Sequence, residues 1–145
     1  LPKIANAILD LGIKNAEFIF VDCTYGGANR NFYHLVPRIS KAAPYIKQCL
    51  DIGNKNRCKH WHIRYVPMCF FEGYENHISE LNEVKTFQTE HLAPDFKNYD
   101  VEKSRVSIAR VKTEQCSECR CSNRCEGIWK AYIAKYGSDE LIAIK

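Results

Sequence analysis

The sequence predicts an α/β fold, and three observations carry that expectation. Two helical patterns alternate with two strand patterns over residues 3–66. The first strand pattern, Ala16 to Val21, is apolar apart from Glu17 and reads as a strand of the kind buried on both faces of a parallel sheet. The order helix, strand, helix, strand is that of an α/β barrel or an open sheet cut from a larger whole. The third observation is a break in this pattern. After residue 70 the periodicity fades, and a cysteine-rich segment closes the chain.

Residues 3–11 place Ile4, Ala7, Ile8 and Leu11 on one helical face, and Gly12 follows where a helix-ending glycine belongs. Gly26-Gly27 is expected to break the chain after the first strand. A longer helical pattern spans about 31–52, with Leu35, Ile39, Ala42, Ile46, Cys49 and Leu50 on one side, ended by Gly53-Asn54. Pro37 and Pro44 fall inside it, so a late start or a kink is expected. Trp61 to Val66 alternates as a second strand, stopped by Pro67. Residues 70–104 are polar and acidic, with one short helix expected near Ile78 to Phe87. Val106 to Val111 reads as a short strand, and Gly127 to Tyr136 as a helix with Ile128, Ala131 and Tyr132 inward.

Composition bounds the function. The 145 residues are 46% hydrophobic and 26% charged, as expected for one globular domain or two small ones. The longest apolar runs are too short to span a bilayer, so no membrane association is expected. Leu1-Pro2-Lys3 leads directly into a helical pattern rather than an export leader, which points to a cytoplasmic protein. The lack of an initiator Met points to a piece of a longer chain. The net charge of +4 is split into mixed blocks, a basic one around Lys55 to Arg64, a mostly acidic one over 72–102 and a basic one over 103–112. Nucleic-acid binding calls for a more sustained basic stripe and is not expected.

Four of the eight cysteines, Cys116, Cys119, Cys121 and Cys125, fall within ten residues. Without export, a disulfide framework is disfavoured and metal binding favoured. A C-x2-C pair lets two sulfurs face one centre across a turn, and a third sulfur six residues later reaches it if the chain curls; Cys121 offers an alternative third. Zinc and iron–sulfur chemistry both use such ligands. Structural zinc normally needs a second knuckle, for which the His60/His62 pair is a candidate. An iron–sulfur cluster accepts three clustered thiolates and a distant fourth, for which Cys69 is a candidate. Cys23, Cys49 and Cys58 read as core thiols, and Tyr25, Tyr65, Phe70 and Phe71 lie near strand ends, where they line either a pocket or the core.

Three features together resemble the C-terminal half of a radical S-adenosylmethionine (radical SAM) enzyme with an auxiliary cluster. The helix and strand through Leu11-Gly12-Ile13 and Phe18-Ile-Phe20-Val21 to Tyr25-Gly26 are similar to the last helix–strand unit of that family's partial barrel. Val66-Pro67-Met68-Cys69 is similar to its I-P-x-C segment. The run from Lys112 through Cys116-x2-Cys119-x5-Cys125-Glu-Gly127-Ile-Trp129-x2-Tyr132-x4-Gly137-x2-Glu140-Leu141 resembles the tail of SPASM and twitch-like members.

The resemblance implies the C-terminal part of a partial (β/α) barrel over residues 1–69. A small irregular auxiliary-cluster region, with a linker and a C-terminal helix, would follow over 70–145. It implies one auxiliary [4Fe–4S] cluster on Cys69, Cys116, Cys119 and Cys125, with Cys121 left out. S-adenosylmethionine and a second cluster would belong to the full-length enzyme, which would act on a small-molecule or peptide substrate. The family's C-x3-C-x2-C motif is absent from this sequence, so the chain alone is expected to be inactive. An uncovered apolar face over residues 4–21 is expected to make it oligomerise. A zinc-stabilised module binding nucleic acid or protein is the alternative.

Overall fold

The computed structural model describes residues 1–82, 91–92 and 97–145. Helix α1 (Pro2–Asp10) begins with proline in its first turn, where the missing N–H costs nothing. Gly12, at φ 71°, turns the chain into β1 (Asn15–Ile19). Two short helices follow, α2 (Gly26–Arg30) and α3 (Phe32–Leu35), and then the long helix α4 (Ile39–Lys55). Strand β2 (His60–Arg64) returns parallel to β1, in register from Asn15↔His60 to Ile19↔Arg64. This β1–helix–β2 unit is the α/β element of the chain. Among the described residues the parallel sheet has these two strands, extended by a single bridge from Ile63 to Ile78.

One face of the pair is the core. Phe18 meets Trp61 edge to face, with ring centres 5.7 Å apart, and Ile63 lies beside them. Helix α4 covers this face with Ile39, Ala43, Ile46, Cys49, Leu50 and Gly53, spaced three or four residues apart. Gly53 lies directly against the Trp61 indole; a Cβ there would stand 2.6 Å from Cε3. The helix therefore runs through Gly53-Asn54, which the sequence suggested as its end, because the glycine is used for close packing. Pro37 separates α3 from α4. Pro44 sits inside α4, at the cost of one hydrogen bond to the Ser40 carbonyl. Gly26-Gly27 starts a helix rather than merely breaking the strand.

The other face of the pair is polar, contrary to the expectation of a strand buried on both sides. Glu17 pairs with Arg64 at 3.0 Å across the strands and accepts the Ser79 hydroxyl. His60 is exposed and His62 half-buried on the same side. In α1 it is Ala5 that is buried, while Ile4 and Leu11 are 55% and 76% exposed. The face nominated by periodicity is thus partly open.

After β2 the chain makes a 3-10 turn at Met68–Phe70, a second at Glu75–His77, and the short helix α5 (Ser79–Asn82). The helix expected near 78–87 is described only over these four residues; the rest lies outside the described residues. Strands β3 (His91–Leu92) and β4 (Lys97–Asn98) form a small antiparallel pair. Asp100 caps α6 (Val101–Ser104) by accepting the Lys103 N–H at 3.0 Å. The strand expected over 106–111 is confined to β5 (Arg110–Val111), because 105–109 forms a wide π-helical turn. Its partner is β6 (Ile128–Trp129), so the helix expected from Gly127 begins only at α7 (Lys130–Tyr136). Ile128, Trp129, Tyr132, Leu141 and Ile144 join the same buried cluster as Phe18, Leu50 and Trp61.

Candidate metal centre

The cysteines come together through two local structures. The first is the turn after β2. Pro67 leads Met68–Phe70 into a 3-10 turn, closed by the Phe71 N–H on the Met68 carbonyl at 2.8 Å, and this turn presents Cys69. The second is a succession of tight turns in the tail. The Cys116 N–H donates to Thr113 at 2.9 Å, Cys119 to Cys116 at 3.3 Å, Ser122 to Cys119 at 2.9 Å and Cys125 to Cys121 at 2.9 Å. Each turn advances the chain little while rotating it, so side chains three to six residues apart stay on one side. The C-terminal segment holds this coil in place: the Arg120 N–H donates to the Ile144 carbonyl at 2.9 Å, and Leu141 is buried beneath.

Cys69, Cys116, Cys119 and Cys125 line one cavity. Its walls are mostly apolar, formed by Pro67, Met68, Val111, Ile128 and Leu141. Cys121 is outside this lining; it is 7% exposed and belongs to the hydrophobic core. The β5–β6 hairpin makes one wall, and Gly127 is what permits it. Its φ is 86°, and a Cβ would stand 2.3 Å from the Val111 carbonyl oxygen.

Two of the four sulfurs, Cys69 and Cys125, accept backbone donors. Cys125 Sγ accepts the N–H of Met68 at 3.5 Å and of Gly127 at 3.3 Å. A backbone hydrogen bond from Ile142 favours the Cys69 thiolate. Burial nevertheless dominates: it pushes the Cys69 thiol up to about 12, and the charge of Cys125, with smaller effects from Cys116 and Cys119, pushes in the same direction. Burial also raises Cys125, against the two N–H donors. Ionised together, these thiols repel one another. A cationic centre among them removes both the repulsion and the desolvation cost.

All eight cysteines are free thiols. Cys23, Cys49 and Cys58 are buried in the core, away from the cavity lining. His60 and His62 are not in the lining of the cysteine cavity; they flank an open surface pocket with Asn15, Ala16 and Glu17. Of the aromatic residues near strand ends, Phe71 is fully buried, Tyr25 is exposed, and Tyr65 packs against Trp129 with ring centres 5.1 Å apart. Among the described residues no group of three or more His, Cys, Asp or Glu is arranged as a metal-ion site.

Sequence reasoning did not single out the charges beside this cavity. Arg110 and Glu80 are both buried, and Arg105 holds Glu126 through two hydrogen bonds of 2.9 and 2.7 Å. Arg110 follows an apolar alternation, which hinted at an inward position, but nothing in the sequence joined it to Glu80.

No helix of the described residues is long and apolar enough to cross a membrane. Compared with family models, curated proteins and solved structures, the chain matches none.

Proposed function

We propose that the chain is the auxiliary-cluster portion of a radical SAM oxidoreductase. It would bind one [4Fe–4S] cluster through Cys69, Cys116, Cys119 and Cys125. The observation that carries this reading is the convergence of the four thiols on one apolar-walled cavity, with backbone N–H groups directed at the sulfurs and Cys121 turned into the core. Such a cluster supplies low-potential one-electron redox or an iron site for substrate, set by hydrogen bonds to sulfur and by burial. The chain's part is to hold the thiolates, exclude water with Met68, Ile128 and Leu141, and present the polar face of β1–β2 with Glu17, His62 and Arg64. In this reading residues 1–69 end a partial (β/α) barrel, and S-adenosylmethionine, its cluster and a small-molecule or peptide substrate meet in the longer protein. A reducing cytoplasm suits the free thiols.

The zinc alternative has less support, because its candidate second knuckle, His60 and His62, lines a different pocket from Cys69, Cys116, Cys119 and Cys125. Anaerobic reconstitution with iron and sulfide tests both. The expected product is brown and holds about four iron and four sulfide per chain. A colourless protein that takes up one zinc and no iron would overturn the reading. Assay of 5′-deoxyadenosine formation from S-adenosylmethionine and dithionite tests the enzyme assignment. No turnover is expected from this chain alone, and turnover by it would refute the assignment.

A further inference from the structure

The charges on the far side of the β5–β6 hairpin are arranged unlike a stabilising salt bridge. Arg110 is 3% exposed. Its guanidinium lies 3.6 Å from the centre of the Trp129 ring, and Nη1 donates to the Gly127 carbonyl at 3.3 Å. Glu80 stays 3.9 Å away from Nη2, beyond hydrogen-bond reach, and Glu126 also attracts the guanidinium through space. Glu80 Oε1 accepts instead the backbone N–H of Tyr65 at 2.5 Å, and Tyr65 is held at a left-handed φ of 67°. Neither Arg110 Nε nor Glu80 Oε2 has a hydrogen-bond partner among the described residues. Glu126 is already engaged by Arg105. A buried pair kept for stability would be closely bonded, since desolvation is recovered only through good geometry. Arg110 is instead a buried cation with incomplete hydrogen bonding, on which Glu126, Glu80 and Asp22 act through space rather than through a direct bond.

Arg110 is linked to the cysteine cavity through Gly127. Gly127, whose carbonyl Arg110 holds, is the residue whose N–H donates to Cys125 Sγ. Val111 and Ile128, which flank Arg110 and Gly127 in sequence, are cavity wall. Between Arg110 and the cavity lies packed protein, where a charge is screened less than in water.

We propose that Arg110 is a positioning residue that raises the reduction potential of the cluster bound at Cys125, and that Glu80, held at a distance by Tyr65, limits the effect. The inference rests on the cluster reading above. The step concerned is the addition of one electron to the oxidised cluster, supplied by the reductant of the titration, with no bond made or broken. A fixed positive charge favours the more negative reduced state.

The test is an anaerobic redox titration followed by electron paramagnetic resonance, with iron counted in every sample. Arg110→Gln is expected to make reduction at least tenfold less favourable, a downward shift of about 59 mV for a one-electron couple. Arg110→Lys should stay near the parent value. Glu80→Gln should shift upward. These opposite signs, at unchanged iron content, are what loosened packing would not produce. Potentials that do not move, or that move the same way in Arg110→Gln and Glu80→Gln, overturn the inference and leave the cluster reading standing. A parent chain that takes up no iron overturns both. If Arg110→Gln does not fold, Glu80→Gln decides by its sign.

Discussion

The phenol of Tyr132 accepts the backbone N–H of Ile39 at 2.8 Å and donates its own proton to Glu140. The other carboxylate oxygen of Glu140 accepts the Ser40 N–H at 3.2 Å. Together they satisfy the first free N–H groups of α4, which has no side-chain cap of its own, and they bring negative charge to the positive end of the helix. Tyr136 adds a bond from its hydroxyl to the Val36 carbonyl at 2.8 Å. The cysteine-rich tail is thereby fastened to the helix that covers the parallel strands.

Tyr132→Phe removes an acceptor from a buried N–H and a donor from Glu140. A loss of about 1–3 kcal/mol in unfolding free energy is expected, read by denaturant titration of the metal-free chain. Glu140→Gln in the same background should add little, since the two side chains act as one cap. An unchanged midpoint in Tyr132→Phe would show that the tail is not anchored there.

Serine replacement separates ligands from bystanders. Cys69→Ser, Cys116→Ser, Cys119→Ser and Cys125→Ser are each expected to lower iron content sharply after reconstitution. Cys121→Ser should retain iron and instead lose some stability, because it puts a hydroxyl into the core. Iron retained in Cys125→Ser and lost in Cys121→Ser would reverse the assignment.

Gly127→Ala should be among the most damaging small substitutions. The position combines a left-handed φ with a backbone oxygen 2.3 Å from the new Cβ, and the backbone cannot move aside as a flexible side chain can. Strain alone costs of order 1–3 kcal/mol, and the hairpin must shift. Loss of both thermal stability and iron retention is expected; an unaltered melting temperature would contradict the geometry.

Burial, and then the Asp22 charge, push the Cys23 thiol up to about 11. The folded state therefore favours the neutral thiol. Its contribution to stability is complete below the ordinary thiol value near 9.0 and is lost as pH rises through about 11. The metal-free chain should weaken over that alkaline window. Cys23→Ala should make the decline shallower, although Cys49, Cys69 and Cys125, also raised by burial, keep part of it. A decline of the same steepness in Cys23→Ala would remove Cys23 as a cause.

Much of this was legible because it depends on neighbours in sequence. The helical period of α4, the alternation of Trp61 to Val66 and the C-x2-C-x5-C run are local patterns, and they mark out α4, β2 and the thiols that line the cavity. The rest was settled by contacts across the chain. Gly53 looked like a helix stop and serves as a seat for Trp61. Ile128-Trp129 looked helical and pairs as a strand with Arg110-Val111, because a two-residue segment has no period of its own. Glu17, Ser79 and Arg64 make one sheet face polar, and Glu17 is the one charged residue inside the otherwise apolar stretch Ala16 to Val21. Arg110 and Glu80 resemble any surface charges in the sequence. Burial and a 3.9 Å separation make them a partly compensated pair, and both follow from the packing of segments thirty residues apart, which no local pattern encodes.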